Sequence, residues 1–268
     1  MGRPVRRGEF LAPGDAAGGT SSPTICPMNE SAAASLPPNP VGETAVVMPV
    51  YNEAPVVGGV ISELVSLGMI VIAVDDGSSD GSAEEIDKAG AIRVTHPINL
   101  GQGGAIQTGF DAALRFTDAR YVATFDADGQ HQAADLLGMI QKIKQGYDVV
   151  LGSRFLDGRT EMSWLRSRVL KLATKVFNRG SEVRLTDAHN GLRLVTRNVA
   201  AEIELAHIGM AHASELEHVL TRSHLRVTEY PVHVLYTEYS RAKGQPLLNS
   251  INILADIVSH RITTWSRK

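Results

Sequence analysis

Residues 44–50, TAVVMPV, are apolar from end to end and give way at once to Tyr51-Asn52-Glu53. A strand with one wet face alternates apolar and polar residues; this one does not, so both of its faces are to be covered. The pattern then repeats. A stripe of Val56, Val60, Ile61, Leu64 and Val65 at helical spacing stops at Gly68, and residues 69–76, MIVIAVDD, form a second apolar run. Ser82 to Glu85 reads as a capping box opening a short helix that ends at Gly90. Residues 91–97, AIRVTHP, read as a third strand, residues 104–116 as a helix, and residues 121–128, YVATFDAD, as a fourth strand. Apolar strands alternating with helices predict an α/β fold: a Rossmann-like, mostly parallel sheet with helices on both faces.

Further on, residues 148–155, DVVLGSRF, read as a strand, residues 163–178 as a helix, and residues 226–236, RVTEYPVHVLY, as a half-exposed strand. Residues 1–43 are rich in Pro, Gly, Ala and Ser without periodicity and read as a disordered leader, with Met28 an alternative start. A catalytic unit is expected over 44–245. An amphipathic helix is expected over 246–268, with Leu247, Ile251, Leu254, Val258 and Trp265 on one stripe. Most such stripes pack on a core; a minority lie on membranes, and Arg261, Arg267 and Lys268 sit near this one's end.

Composition excludes several classes. With 43% hydrophobic and 21% charged residues the chain can bury a substantial core, and a net charge of −3 gives no general case for nucleic acid. A single cysteine, Cys26, excludes a disulfide framework and a cysteine-based zinc site, and suits a reducing cytosol. No apolar run approaches the ~20 residues of a membrane span.

In open α/β sheets the ligand crevice lies beyond the carboxyl ends of the strands. Those ends carry Tyr51-Asn52-Glu53, Asp75-Asp76 and Asp126-Ala127-Asp128. Two carboxylates one residue apart repel unless something positive lies between them. A solvated turn is the plain reading; a divalent cation held by Asp126 and Asp128, with a neutral oxygen from Gln130, is the functional one. Mg²⁺ or Mn²⁺ takes such carboxylates together with substrate phosphates. Residues 99–105, NLGQGGA, offer Asn99, Gly101 and Gly103 for close backbone approach to a phosphate or sugar. They fall short of a dinucleotide fingerprint, since Ile106 stands where its third glycine belongs. The match of residues 77–81, GSSDG, to a nucleophile elbow at Ser79 is better explained by a turn and a cap. His212, Glu215 and His218 do not make a zinc helix, because residues six apart point to different sides.

The ordered set VVMPVYNE (46–53), VDDGSSDGS (74–82), NLGQGGAIQTG (99–109), TFDADGQHQ (124–132) and VLGSRF (150–155) resembles the inverting family 2 glycosyltransferases with the GT-A fold. It is most similar to the dolichyl- or polyprenyl-phosphate mannose and glucose synthases. TDAHNGLR (186–193) and YSRAKGQ (239–245) resemble later elements of that branch, although the family's Ser-Lys after the last glycine is Gln-Pro here. The resemblance implies a nucleotide-diphosphate sugar donor, UDP- or GDP-hexose, and a polyprenyl phosphate or glycan acceptor. It also implies a cytoplasmic enzyme in peripheral contact with the inner membrane face. Pro49, Tyr51, Asn52 and Glu53 would line the nucleoside pocket, and Asp76 or Asp75 would accept from the base. Asp126, Ala127 and Asp128 would sit at the diphosphate, and Arg154, Arg193, Arg241 and Lys243 would bind phosphate. A lipid phosphate needs no general base, whereas a sugar hydroxyl does; Asp187 and Glu215 are the two candidates.

Overall fold

A computed structural model of the chain describes residues 42–158, 160, 162–179, 181–205, 212–236 and 239. Among these, seven strands form one sheet: β1 (Thr44–Val50), β2 (Ile70–Asp75), β3 (Ile92–Thr95), β4 (Tyr121–Thr124), β5 (Val149–Ser153), β6 (Arg193–Thr196) and β7 (Val227–Pro231). They lie in the order β3-β2-β1-β4-β6-β5-β7. β1 pairs in parallel with β2 and β4, β2 with β3, and β5 with β7; β6 alone runs antiparallel, between β4 and β5. The expected mixed, mostly parallel sheet is therefore present.

The uninterrupted apolar character of β1 has its explanation in the two layers around it. Ala45 and Val47 pack with Ala105, Ile106 and Phe110 of α3 (Gln102–Phe116) and with Leu216 of α7 (His212–Leu220). Val46, Met48 and Val50 face Val57, Ile61 and Leu64 of α1 (Ala54–Ser66) and Leu136 and Met139 of α4 (Ala133–Ile143). Successive side chains of a strand point to opposite faces, so burial on both sides demands an apolar residue at every position.

Two local expectations are corrected. Ser82 does not form a capping box at the start of α2 (Ser82–Ala89): its hydroxyl donates to Asp80, and the Glu85 N–H bonds the Gly81 carbonyl instead. In a capping box the hydroxyl oxygen would accept from the Glu85 N–H; here it accepts from the Glu53 N–H (2.8 Å). The strand expected over 226–236 stops at Pro231, and β7 is half-buried along its length, as an edge strand should be. The remaining helices are α5 (Trp164–Phe177) and α6 (Arg197–Ala200). The leader, Arg241, Lys243 and the expected helix over 246–268 lie outside the described residues. Among the described residues no helix is long and apolar enough to cross a membrane.

The topology gathers the candidate site residues at one edge of the sheet. The carboxyl ends of β1, β2, β4 and β5 share it because they run in one direction. Antiparallel β6 enters at the same edge, with Arg193 registered against Thr124. The Thr124 hydroxyl donates to the Gly191 carbonyl (2.7 Å) and fastens the incoming segment there.

Candidate functional site

The first wall consists of two latched loops. Asn52 occupies the left-handed region (φ 53°), and its side-chain oxygen accepts from Ser79 N (2.9 Å). The backbone N–H groups of Asn52, Glu53 and Ala54 donate to Ser78 Oγ (3.0 Å), Ser82 Oγ (2.8 Å) and Asp80 Oδ2 (3.1 Å). Ser79, the residue of the elbow-like motif, is thus part of a turn that braces the loop after β1. Tyr51 stays exposed, and the Tyr239 hydroxyl, 186 residues further on, donates to Glu53 Oε2 (2.8 Å).

The strand-end acids Asp75 and Asp76 are both buried, and they do different things. Asp76, expected to read a nucleobase, is committed to the loop after β3. Its oxygens accept from Leu100 N and Gly101 N (both 2.8 Å) and from His96 Nδ1–H (2.7 Å). Those donors face inward beside a strand end and would otherwise be unpaired, which is why the carboxylate is drawn to them. The Gly101 N–H is therefore spent on Asp76, and Gly103 is buried in the first turn of α3, while Asn99 stays exposed. Gly77 permits the closure: at φ +74° a side chain there would lie 2.9 Å from the backbone at Ile98 and Asn99. The Asp75 carboxylate accepts only from Ser78 N (3.1 Å) among the described residues, through Oδ1, which leaves Oδ2 uncommitted.

The second wall holds Asp126 and Asp128. Asp126 accepts from Gln102 Nε2 (3.2 Å) and from His131 Nε2–H (3.0 Å). Burial opposes its ionisation, but the His131 hydrogen bond and the positive charge of His131, Arg193 and His212 prevail, holding the carboxyl below the usual range. Asp128 is pushed the other way, upward, by burial and then by the charge of Asp126. Two hard oxygen donors one residue apart at a strand end, one of them still pushed up by the other's charge, fit a divalent cation. Among the described residues no three His, Cys, Asp or Glu side chains gather to hold a metal unaided, so a cation here would share its coordination with substrate oxygens. Gln130, expected as a neutral ligand, instead donates from its backbone N (3.0 Å) and Nε2 (2.6 Å) to Asp128. It buttresses the acid. Ala127 is buried between the two carboxylates.

Gly191 closes this corner. A methyl group there would overlap Asp126 Oδ2 and lie 3.0 Å from its Cγ and 3.1 Å from His131 Nε2. Gly191→Ala is expected to lower activity about 10²-fold by displacing Asp126, since a 1 Å misplacement can cost about that much. Steady-state rates beside a thermal melt check it; full activity would mean the corner yields at no cost.

Two of the expected phosphate-binding arginines are engaged elsewhere. Arg154 and Asp187 are both buried and form a forked pair: Nε to Oδ2 (2.6 Å) and Nη2 to Oδ1 (2.7 Å), with Nη2 also bonded to the His189 carbonyl (3.1 Å). Burial opposes ionisation of Asp187, but the adjacent guanidinium holds its carboxyl low. Burial also drives the neighbouring His189 down to about 4, so it is neutral. An acid bonded through both oxygens to arginine is a poor general base, and its arginine is a poor phosphate clamp. Arg193 donates from Nε to Glu217 Oε1 (2.7 Å), and burial pushes the Glu217 carboxyl up against that pull. The Arg193 charge still reaches Asp126. Pro49 ends up in β1, paired with Val74, beneath the loop wall. Glu215 is half-buried on α7, about one helical turn from the His212 that acts on Asp126, and has interactions of its own.

Sequence reasoning missed Gln102, His131, His212 and Gly191. The nearest signal was the spacing of His131, five residues past Asp126 and beyond the Gly129 turn.

Comparison with known proteins shows the family and the fold. The model for glycosyl transferase family 2 matches residues 45–203. An uncharacterised protein of Methanocaldococcus jannaschii is 31% identical over 232 residues, covering 82% of this chain and 93% of that one. The glycosyltransferase AglJ of Haloferax volcanii is 30% identical over 204 residues, 74% of this chain and 64% of its own length. Among solved structures, mannosyl-3-phosphoglycerate synthase from Rubrobacter xylanophilus superposes with a TM-score of 0.62 at 20% identity, covering 84% of this chain and 75% of that one. Glucosyl-3-phosphoglycerate synthase from Mycobacterium tuberculosis, in complex with Mn²⁺, UDP-glucose and phosphoglyceric acid, gives 0.59 at 19%, covering 81% and 78%. The chain belongs to glycosyl transferase family 2. It is a glycosyltransferase, with the GT-A fold of these neighbours.

Proposed function

We propose that the enzyme transfers a hexose, with inversion and in a metal-dependent manner, from a nucleoside diphosphate sugar to a polyprenyl phosphate. The observation that carries the metal and donor side is the placement of the Asp126 and Asp128 carboxylates one residue apart just past β4, at the carboxyl edge beside the loop wall of Tyr51, Asn52 and Glu53. The nucleoside lies against that wall. Asp75, with one oxygen uncommitted, accepts from the N–H edge of uracil or guanine, and Asp76 shapes the neighbouring loop. Mg²⁺ or Mn²⁺ held by the two acids would neutralise charge on the departing diphosphate. His131 and Gln102 orient Asp126, and Gln130 orients Asp128.

The acceptor assignment rests on the Arg154–Asp187 pair. With Asp187 bonded through both oxygens, one of the two candidate bases has no lone pair well placed for a substrate proton. A phosphate oxygen is already anionic. It attacks the anomeric carbon opposite the leaving group, the new C–O bond forms as the old one breaks, and the electron pair leaves on the diphosphate. No proton has to be removed.

Transfer to a hydroxyl is the second reading, favoured by the place of Glu215 one turn beyond His212 on α7. Glu215→Gln decides between them. With polyprenyl phosphate as acceptor, the variant is expected to keep substantial transfer across a pH series. Transfer to a glycan hydroxyl in place of polyprenyl phosphate, lowered about 10²–10⁴-fold by Glu215→Gln and falling in the wild type as pH drops through a carboxyl pKa, would make Glu215 a general base and the acceptor a hydroxyl.

A further inference from the structure

Glu217 of α7 is a buried carboxylate with a single partner. Its Oε1 accepts from Arg193 Nε (2.7 Å), while its Oε2 has no hydrogen-bond partner among the described residues. Arg193 is buried as well, and its other hydrogen bond there, from Nη1 to the Gly191 carbonyl, is long at 3.5 Å. Stability alone does not account for such a pair. Desolvating two charges can outweigh their attraction, and apolar residues of like volume often serve as well or better. The pair bears instead on the corner that holds the strand-end acids. Arg193 stands opposite Thr124 and two residues past Gly191, whose backbone lies against Asp126, and its charge acts on the Asp126 carboxyl.

We infer that Glu217 is a positioning residue: it holds and neutralises the Arg193 guanidinium, and so keeps Asp126 free to bind a divalent cation. This rests on the metal reading of Asp126 and Asp128. A buried guanidinium stripped of its counter-charge turns to whatever anion lies in reach. Asp187 and Glu229 both act on Glu217 through their charge, but neither is open. Asp187 is forked by Arg154, and Glu229 accepts from Thr186 and from the Asp187 N–H. Asp126 is held by Gln102 and His131 and remains partly exposed. Without Glu217, Arg193 would set its fixed positive charge on Asp126, in competition with the cation. The carboxylate on α7 thus governs how well an acid on the opposite side of Arg193 can serve as a ligand, without touching cation or substrate itself.

The experiment is a Mn²⁺ titration of the full chain, followed by the paramagnetic resonance of free Mn²⁺, with UDP and in a parallel series GDP present. It is run at about pH 8, above the value of about 7 to which burial raises the Glu217 carboxyl, with thermal melts alongside. The wild type is expected to bind Mn²⁺ and Asp128→Asn to lose it. Glu217→Leu should weaken binding about tenfold or more, because a guanidinium set against a carboxylate is worth about 1–3 pKa units. Glu217→Gln, which keeps an oxygen for Nε but not the charge, should weaken it by about threefold and disturb the fold less. The double variant Arg193→Met/Glu217→Leu carries no stranded charge, so it should bind within about threefold of the wild type and melt close to it. A double variant as weak as Glu217→Leu would overturn the inference. So would Glu217 variants that melt early but bind Mn²⁺ like the wild type, because the pair would then be structural only. Mn²⁺ binding that is missing from the wild type, or indifferent to Asp128→Asn, would overturn the metal reading and this inference with it.

Discussion

Asp128→Asn is expected to lower transfer by about 10³-fold or more while leaving the fold as stable as before. Removing a charged group that organises transition-state electrostatics costs about 10²–10³-fold, and a lost metal ligand reaches the upper end. Stability should not fall, because burial and the neighbouring Asp126 push the Asp128 carboxyl above its usual value. A carboxyl raised in the folded state contributes stability that is lost as pH rises through its folded pKa, so at neutral pH its charge works against folding. The neutral amide removes that opposition and can still accept from the Gln130 backbone. Rates beside a thermal melt provide the check. An inactive variant that also melts early would make the acid structural, and an active one would remove it from the reaction.

Asp187→Asn is expected to behave in the opposite way, with its main effect on stability. The substitution leaves Arg154 as a buried charge with half its fork unpaired, and breaking such a pair costs about 3–5 kcal/mol. For a domain of this size the melting point should fall by roughly 10 °C. The conservative direction of the test matters: replacing both partners together by apolar residues should cost less than Asp187→Asn alone, because no orphaned charge remains. A variant that melts like the wild type but loses kcat, together with an acidic limb shown by the wild-type pH profile, would instead make Asp187 the base.

The parallel part of the sheet was legible because apolar strands and helical stripes are local patterns, and the strand-end acids marked the crevice for the same reason. What escaped depends on partners distant in sequence. β6 is four residues long and starts with a charged side chain, so nothing local says that it inserts antiparallel between β4 and β5. That insertion is what brings Gly191 against Asp126. Arg154 and Asp187 read as a phosphate clamp and a candidate base because each is polar and near a motif; their mutual pairing spans 33 residues. Asp76 shows the limit most plainly. A carboxylate at a strand end has the same sequence signature whether it accepts from a nucleobase or from the N–H groups of the next loop. The helix of α5 was read correctly from its periodicity, but its outward display of Trp164 and Leu172 depends on what the fold leaves uncovered.

The central claim is metal-dependent glycosyl transfer at Asp126 and Asp128, and nucleotide release tests it most directly. The full chain is incubated with Mn²⁺ or Mg²⁺ and each of a panel of UDP- and GDP-hexoses, with and without polyprenyl phosphate, and the freed nucleoside diphosphate is followed. The prediction is release that depends on the acceptor, is selective for donor, and is abolished by EDTA and by either Asp126→Asn or Asp128→Asn. Release that continues undiminished in EDTA, or in both variants, would contradict it.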